Sequence, residues 1–423
     1  MFAVCSQENP VLIVGAGPAG ATAARVLALA GVPVRLLDRS AFPRNKPCGG
    51  GISIRALQRF PYLSGDLNRI ATHYLSRLYL EGPGGESTIV ESDAPAALMV
   101  RRVEFDALLV SLATAAGAEI VPRADIVQAR EHHDRVELIA RDGRRFSGAA
   151  VIAADGVHSI VARRLGLNAG WQDTSVALDM MEETPREQLR DLDPSTLWVA
   201  YGYDASGAAS EGAAPEGYAY IFPKRDHVNI GIGYVLSHYR RSIDRAPYDL
   251  QRDFVERLRR RGIVEGGSVR RNFTPFIIPV GGPLPSTGRG RVLLAGDAGG
   301  FVNGFTAEGI YYAMVTGELA ARAVAAGGTE NGDGGPARRY RRSWTHEIGA
   351  ELRDSVLIRN YLFADRRRIA QVIDGARRER KMTALILDLA MGRRSYRNVR
   401  RRMLASAPGL AARFVWERIR RRR

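Results

Sequence analysis

The positions of apolar and polar residues divide the chain into two regimes. Residues 11–16 (VLIVGA) are a short apolar run closed by glycine, which reads as a buried strand. Residues 19–30, rich in Ala and Leu, read as a helix with Gly31 as its C-cap, and residues 32–37 as a second strand. Strand, helix and strand in that order predict a parallel sheet. Residues 102–116 are helical in pattern, with Phe105, Leu108, Leu109 and Leu112 on one face and Gly117 behind them. Strands are expected at 118–122, 136–139 and 149–153. Further on the pattern changes. Residues 197–203, 218–222 and 228–235 are short aromatic and β-branched runs separated by Gly, Pro and charged turns, which predicts an antiparallel sheet. Residues 291–295 return to a buried strand, and 307–326 read as a long helix. The segment 327–336 is a Gly-rich linker, and helix with many arginines follows it.

Three turns carry candidate chemistry. The first is Gly15-Ala16-Gly17-Pro18-Ala19-Gly20, between the first strand and the first helix. Gly15 permits a tight turn, Gly17 lets backbone approach a pyrophosphate, and Gly20 lets helix and strand pack closely. The helix N-terminus offers N–H groups and a positive dipole to phosphate. Asp38 ends the second strand 23 positions after Gly15, where a ribose-binding carboxylate belongs, with Arg39 beside it. This predicts a dinucleotide without choosing between FAD and NAD. The second turn is Gly296-Asp297-Ala298-Gly299-Gly300, with Glu308 and Gly309 opening a helix aimed back at the same site. Its Asp is suited to ribitol hydroxyls or, alternatively, to a simple cap. The third is Ala154-Asp155-Gly156, again just after a strand.

In combination these turns resemble the p-hydroxybenzoate hydroxylase-type flavoprotein fold. The resemblance implies FAD, with Asp155 and Gly156 near the pyrophosphate, Gly296 and Asp297 on the ribitol, and Arg102 on the phosphates or ribitol. A fourth segment narrows the family. Phe42-Pro43-Arg44-Asn45-Lys46-Pro47-Cys48-Gly49-Gly50-Gly51 resembles the Pro-x-x-Lys-x-Cys-Gly-Gly-Gly signature of geranylgeranyl reductases. Tyr218-Ala-Tyr220-Ile-Phe222-Pro223 with Gly231-Ile-Gly233 resembles that family's substrate-cavity motif, where a Trp is usual in place of Tyr220. Gly309-Ile310-Tyr311-Tyr312 resembles its flavin-side helix. Gly304 departs from a usual Pro, and Ala307 from a usual Gly. The resemblance implies that Gly49 and Gly50 approach the flavin ring and that Lys46, Cys48 and Tyr220 act in catalysis. Tyr218, Tyr220, Phe222, Pro223, Gly231 and Gly233 line the substrate. Two readings stay open for Cys48, a group on the substrate side or a small apolar filler. Two stay open for Tyr218, Tyr220 and Phe222, a prenyl channel or sheet core.

The fold class implied is α/β: a Rossmann-type FAD-binding domain (1–75, 100–172, 275–326), an inserted antiparallel-sheet substrate domain (76–99, 173–274), the linker, and a helical basic C-terminal region (337–423). The function implied is reduction of C=C bonds in a geranylgeranyl-type chain carried on a diphosphate, lipid, quinone or chlorophyll-type pigment. Electrons come from NAD(P)H or a reduced electron-transfer protein, since no separate nicotinamide-binding domain is visible. The alternative is a flavin monooxygenase acting on an aromatic or polyketide-like substrate. That class usually shows a His and a Pro-rich loop after the Gly-Asp turn, where this chain has Ala298-Gly299-Gly300-Phe301-Val302-Asn303. A halogenase is disfavoured because no Trp-x-Trp occurs among Trp171, Trp198, Trp344 and Trp416. A non-enzymatic flavin-binding or membrane-adaptor role is the remaining reading.

Composition changes this picture in two places. Only Cys5 and Cys48 are present, too few for a disulfide framework or a cysteine zinc site, which fits a reducing cytoplasm. His132, His133, His158, His227 and His346 lack metal-ligand spacing, so no metal is expected. The start MFAVCSQENP lacks signal-peptide character, and no apolar run approaches the ~20 residues of a membrane span. The net charge is +16, and residues 376–423 hold 16 Lys/Arg against 3 Asp/Glu, so most of it sits there. Arg377, Arg378, Arg380, Lys381, Arg393, Arg394, Arg397, Arg400–Arg402, Arg418 and Arg420–Arg423 alternate with Leu385, Ile386, Leu389, Phe414 and Trp416. That pattern predicts either contact with an anionic membrane surface, peripheral to the cell membrane's inner face, or a solvated helical face. Nucleic acid is not expected, because no recognition motif accompanies the charge. Oligomeric state is not encoded in any feature above.

Overall fold

The computed structural model describes residues 6–205, 213–327, 335–378 and Ile386. A six-stranded sheet forms the nucleotide-binding half, in the order Gly288–Arg289, Val292–Leu294, Ala150–Ala153, Val11–Val14, Val34–Leu37, Glu119–Val121. The first pair is antiparallel and the rest are parallel. The inner strands are apolar throughout because both faces are covered. Helices Pro18–Leu29, Arg102–Ala115 and Ile310–Ala325 bury Leu27, Phe105, Leu109, Met314 and Val315 against one face. An antiparallel three-stranded sheet (Ile126–Glu131, Val136–Ala140, Arg145–Gly148) buries Ile126, Val136 and Leu138 against the other. The run at 136–139 is thus a strand, but it belongs to this cover and not to the parallel sheet. Each such fully buried aliphatic side chain contributes roughly 1.5–3 kcal/mol before entropy is set against it.

The second half is a seven-stranded sheet ordered Phe273–Ile278, Ala177–Pro185, His227–Val235, Gly217–Pro223, Thr196–Tyr201, Arg77–Glu81, Ser87–Glu91. It is antiparallel except where Thr196–Tyr201 runs parallel to Arg77–Glu81. Alternation gives it two unlike faces. Trp198, Ile221, Ile230 and Ile232 meet the amphipathic helix Pro247–Arg260, which presents Leu250, Phe254, Val255 and Leu258 at helical spacing. The opposite face carries Leu80, Met181, Val199, Tyr218, Tyr220 and Phe222. A small sheet of Gly51–Ser53, Ala97–Val100 and Thr72–Leu75 joins the two halves.

Helices Gly335–Trp344, Ala350–Phe363 and Arg366–Arg378 complete the described chain. They are built into the body: Tyr340 is fully buried and its hydroxyl donates to Leu294 O at 2.7 Å. Trp344 packs edge-on to Phe301 at 5.2 Å. Among the described residues no helix is long and apolar enough to cross a membrane. Of the basic clusters, Arg377 and Arg378 end the last helix; those from Arg380 to Arg423 lie outside the described residues, as do Cys5 and most of the linker.

Candidate cofactor and substrate site

The three turns converge. Gly15 has φ +95°, and a Cβ there would fall 2.3 Å from Ala154 O and 2.9 Å from Asp155 Cα, so the first turn lies flat against the third. Gly296 has φ +60°, and its Cβ would meet those of Ala19 and Ala313 at 3.2 and 3.3 Å, so the second turn is wedged between two helices. Pro18 opens the first helix, with no side-chain cap at Gly17 and no acid in the first turn. Arg44 and Arg102 bring a guanidinium nitrogen to 3.7 and 3.8 Å from where a Gly17 Cβ would stand. A helix N-terminus, a glycine and two cations at one point suit a pyrophosphate.

The acids around this point are largely engaged by the chain itself. Asp38 accepts from Ala16 N at 2.7 Å and Ser40 N at 2.8 Å, while Arg39 beside it is exposed. Asp106 is fully buried and binds Arg102 through two bonds of 2.6 and 2.8 Å and Arg44 at 3.0 Å. Asp155 accepts from Ile160 N at 2.8 Å and Val161 N at 3.3 Å, capping a short helix just past Gly156. Burial pushes the Asp155 carboxyl up, against the pull of Ser159 and those N–H groups.

Lys46 reaches Asp297 at 3.4 Å, and Asp297 in turn faces Gly309, the residue before Ile310 at the helix start. Cys48 is half-buried; its Sγ accepts from Gly50 N at 3.4 Å and its carbonyl from Asn229 Nδ2 at 3.2 Å. A Cβ on Gly49 would strike Phe222 at 2.5 Å, and one on Gly50 would strike Val100 O at 2.0 Å and Lys224 Nζ at 3.0 Å. The glycine run is therefore pressed onto the substrate-domain sheet. Buried Lys224 pairs with Glu183, which Arg101 also holds at 2.8 Å. Burial works to raise Glu183, but the two cations outweigh it and keep the carboxyl below its usual range.

Of the two departures from the family pattern, the structure gives a reason for Gly304 and none for Ala307. Gly304 N donates to Ser355 Oγ at 2.8 Å, a bond proline has no hydrogen to make. A Cβ there would also fall 2.7 Å from Val356 Cγ2 and 2.8 Å from Val280 O. Ala307 has φ +56°, the left-handed conformation for which glycine is the unstrained choice, so alanine costs about 1–2 kcal/mol. Behind this loop Arg55 ties Glu308 (3.2 Å), Glu351 (2.8 Å) and Tyr312 (2.8 Å) together.

Tyr218, Tyr220 and Phe222 sit on the sheet face opposite the Pro247–Arg260 helix and look toward these loops. Tyr218 OH donates to Thr306 O at 2.9 Å, and Tyr201 stacks on Phe305 at 4.9 Å. Gly231 lies across from Tyr220 and Met181, and Gly233 across from Tyr218 and Asp179. A Cβ on Gly231 would be 2.5 Å from Tyr220 Oη, and one on Gly233 would be 3.4 Å from Asp179 Oδ1. The two glycines clear a lane along which Tyr220 reaches Asp179 Oδ2 at 3.0 Å. Pro223 ends the strand, buried and paired with Val228. Beside the lane is a cavity of about 40 Å³ lined by Asp179, Tyr218, Phe305, Ala307 and Arg359, space for a few waters.

Arg44, Asp106, Asp179 and Lys224 belong to this arrangement without having been singled out by sequence. Arg44 lies inside the Phe42–Gly51 motif, and Asp106 follows Arg102 at the i, i+4 spacing of a helical ion pair; nothing in the spacing of Asp179 or Lys224 marks them.

A family model described as an FAD binding domain matches residues 8–340. The chain is 34% identical over 323 residues to a menaquinone reductase of Mycobacterium tuberculosis, covering 74% of this chain and 75% of that one. It is 31% identical over 349 residues to a chloroplastic geranylgeranyl diphosphate reductase of Oryza sativa subsp. japonica, covering 78% and 70%. Among solved structures, a geranylgeranyl bacteriochlorophyll reductase-like protein of Thermoplasma acidophilum matches with a TM-score of 0.73 at 19% identity, over 90% of this chain and 95% of that one, which shows a shared fold.

Proposed function

The chain belongs to the geranylgeranyl reductase-like family of FAD-dependent oxidoreductases, and from that premise we propose that it reduces C=C bonds in an isoprenoid chain of the geranylgeranyl type. The observation that carries this reading is the placement of one apolar aromatic sheet face, Tyr218, Tyr220 and Phe222, against the Cys48–Gly50 and Gly304–Ala307 loops. The residues fit FAD: Gly17 with Arg44 and Arg102 would hold the pyrophosphate, Lys46 and Asp297 the ribityl region, and the Gly49–Gly50 backbone the ring. When bound and reduced, FAD would supply a hydride to one alkene carbon.

The protein's own part is orientation and dryness. Phe222 against Gly49 and Tyr218 on Thr306 fix the distance between sheet and loops. An alkene lying on that face would be held in one pose and shielded from water, which is where catalysis by positioning arises. Cys48, packed on the nucleotide-binding core within electrostatic range of Tyr218 and Tyr220, would border the reacting end of the chain. Reducing equivalents would come from NAD(P)H or a small electron-transfer protein.

The test is anaerobic. Chemically reduced holoprotein is mixed with geranylgeranyl diphosphate or a menaquinone, and flavin reoxidation and product mass are followed. Reoxidation without oxygen, with product heavier by two hydrogens per turnover, is expected. Reoxidation that requires oxygen and yields a hydroxylated product would remove the reading.

A substrate of this kind resides in a lipid phase, and the basic C-terminal region suits an anionic surface, at about 1 kcal/mol per nearby charge. Full-length protein should co-sediment with anionic vesicles, and far less so at high salt. A chain ending at Ala376 that sediments equally well would show that the tail is not the contact.

A further inference from the structure

We propose that Asp179 is the proton donor of the reaction and that Tyr220 is the residue that positions it. The proposal rests on the alkene-reductase reading and adds the group that supplies the second hydrogen.

Asp179 is out of place in a structural sense. It is 4% exposed, on the strand next to the edge of a seven-stranded sheet, on the face turned toward the cofactor loops. Its neighbours there are Gly233, Tyr218, Tyr220 and Met181, with Phe276 opposite it on the edge strand. The buried acids nearby in sequence are otherwise provided for: Glu182 by Ser268 and Val269 N, Glu183 by Lys224 and Arg101. Asp179 has Tyr220 OH on Oδ2, while Oδ1 faces the gap over Gly233 and the carboxyl lines the cavity. The cavity also touches Glu216 and Arg359, and the Cys48 thiol lies within electrostatic range of both tyrosines. Arg359 bonds to Val280 O at 2.9 Å and to Asn360. Burial drives the Asp179 carboxyl up, and only the Tyr220 bond opposes this, leaving it at about 7. At neutral pH a proton on Oδ1 is available beside the apolar aromatic face.

One alkene carbon receives the hydride that FAD supplies, and its neighbour receives the Oδ1 proton. The π bond is lost and two C–H bonds form. The Asp179 O–H bond breaks and its electron pair stays on the carboxylate, still held by Tyr220. FAD is left oxidised, to be reduced again by a nicotinamide or electron-transfer protein, or by dithionite in the assay. The carboxylate regains its proton from solvent once product leaves.

The experiment uses FAD-loaded full-length protein. Asp179→Asn should bind FAD and accept electrons from dithionite as the wild type does, yet be reoxidised by the prenyl alkene at least about 100-fold more slowly, the usual scale of general-acid catalysis. The wild-type rate should be level below pH 7 and fall about tenfold per unit above it. Tyr220→Phe removes the bond that favours the charged form, so its high-pH limb should move upward. Independently of turnover, infrared difference spectra should show a protonated-carboxyl C=O band that titrates near pH 7 and is missing in Asp179→Asn. A variant rate and pH profile equal to wild type, a titrating band that survives Asp179→Asn, or an unmoved limb in Tyr220→Phe overturns the proposal while the alkene-reductase reading stands. A wild type that no prenyl alkene reoxidises overturns that reading, and the proton donor with it.

Discussion

Replacing Gly20 by alanine is expected to give a folded protein that purifies colourless. The new Cβ would lie 1.8 Å from Gly15 O, 3.0 Å from Gly15 C and 3.2 Å from Ile13 Cγ2. Gly15 cannot retreat, because it already abuts the backbone of Ala154 and Asp155. Nor can the helix move away freely, since Gly317 of the Ile310–Ala325 helix is pressed on Ala19 O, where a Cβ would come to 2.1 Å. The loop must therefore deform. Overpacking of this kind costs about 1–3 kcal/mol, less than the ordinary stability of a domain. The cofactor is more sensitive than the fold, because the pyrophosphate needs N–H groups and two guanidiniums aimed at one point. A loss of at least about 100-fold in FAD affinity, roughly 2.7 kcal/mol, is expected. Flavin absorbance per protein and calorimetric titration of the stripped protein measure it. Gly31→Ala is the control: its φ is +70°, but nothing lies within 4 Å of the new methyl group, so it should be strained yet yellow. A Gly20→Ala protein carrying stoichiometric FAD would remove the first turn from the cofactor site.

How far the site is legible in the sequence follows from what each segment must do. The strand–turn–helix at Val11–Leu29 is legible because its glycines answer to backbone geometry, which leaves few alternatives. The strands Gly217–Pro223 and His227–Val235 are legible because their apolar and aromatic residues satisfy both faces. The neighbouring strand Ala177–Pro185 is not. It carries Asp179, Glu182 and Glu183 among its apolar residues, and its burial is made tolerable by partners far away in sequence. Those partners are Tyr220, Ser268, Lys224 and Arg101, and no local pattern reveals them. The proton donor proposed above is illegible for the same reason. The two readings of the aromatic face stay open on alternation alone, since both faces of this sheet are apolar; the helix Pro247–Arg260 covers one, and the other meets the cofactor loops and Ile386.

The second large effect is expected at Asp106, and it should differ between the empty and the FAD-loaded protein. Asp106→Asn keeps the shape of a fully buried side chain and removes the charge that holds Arg102 at 2.6 and 2.8 Å and Arg44 at 3.0 Å. Arg102 is 4% exposed, and the next acid, Asp38, is 3.9 Å from Arg44. Two guanidiniums are then buried with little compensation, which costs on the order of 3–5 kcal/mol. Both groups also converge on Gly17, where the pyrophosphate of FAD would bring negative charge. Bound FAD should therefore restore much of what the substitution removes. Urea unfolding of the stripped variant should show the full deficit, and saturating FAD should shrink it. By linkage the variant's affinity for FAD then equals or exceeds that of the wild type, because the carboxylate no longer competes for the two cations. Arg102→Met should do the opposite, weakening FAD while Arg44 still satisfies Asp106. If Asp106→Asn is destabilised equally with and without FAD, the two arginines are structural and the pyrophosphate is held elsewhere.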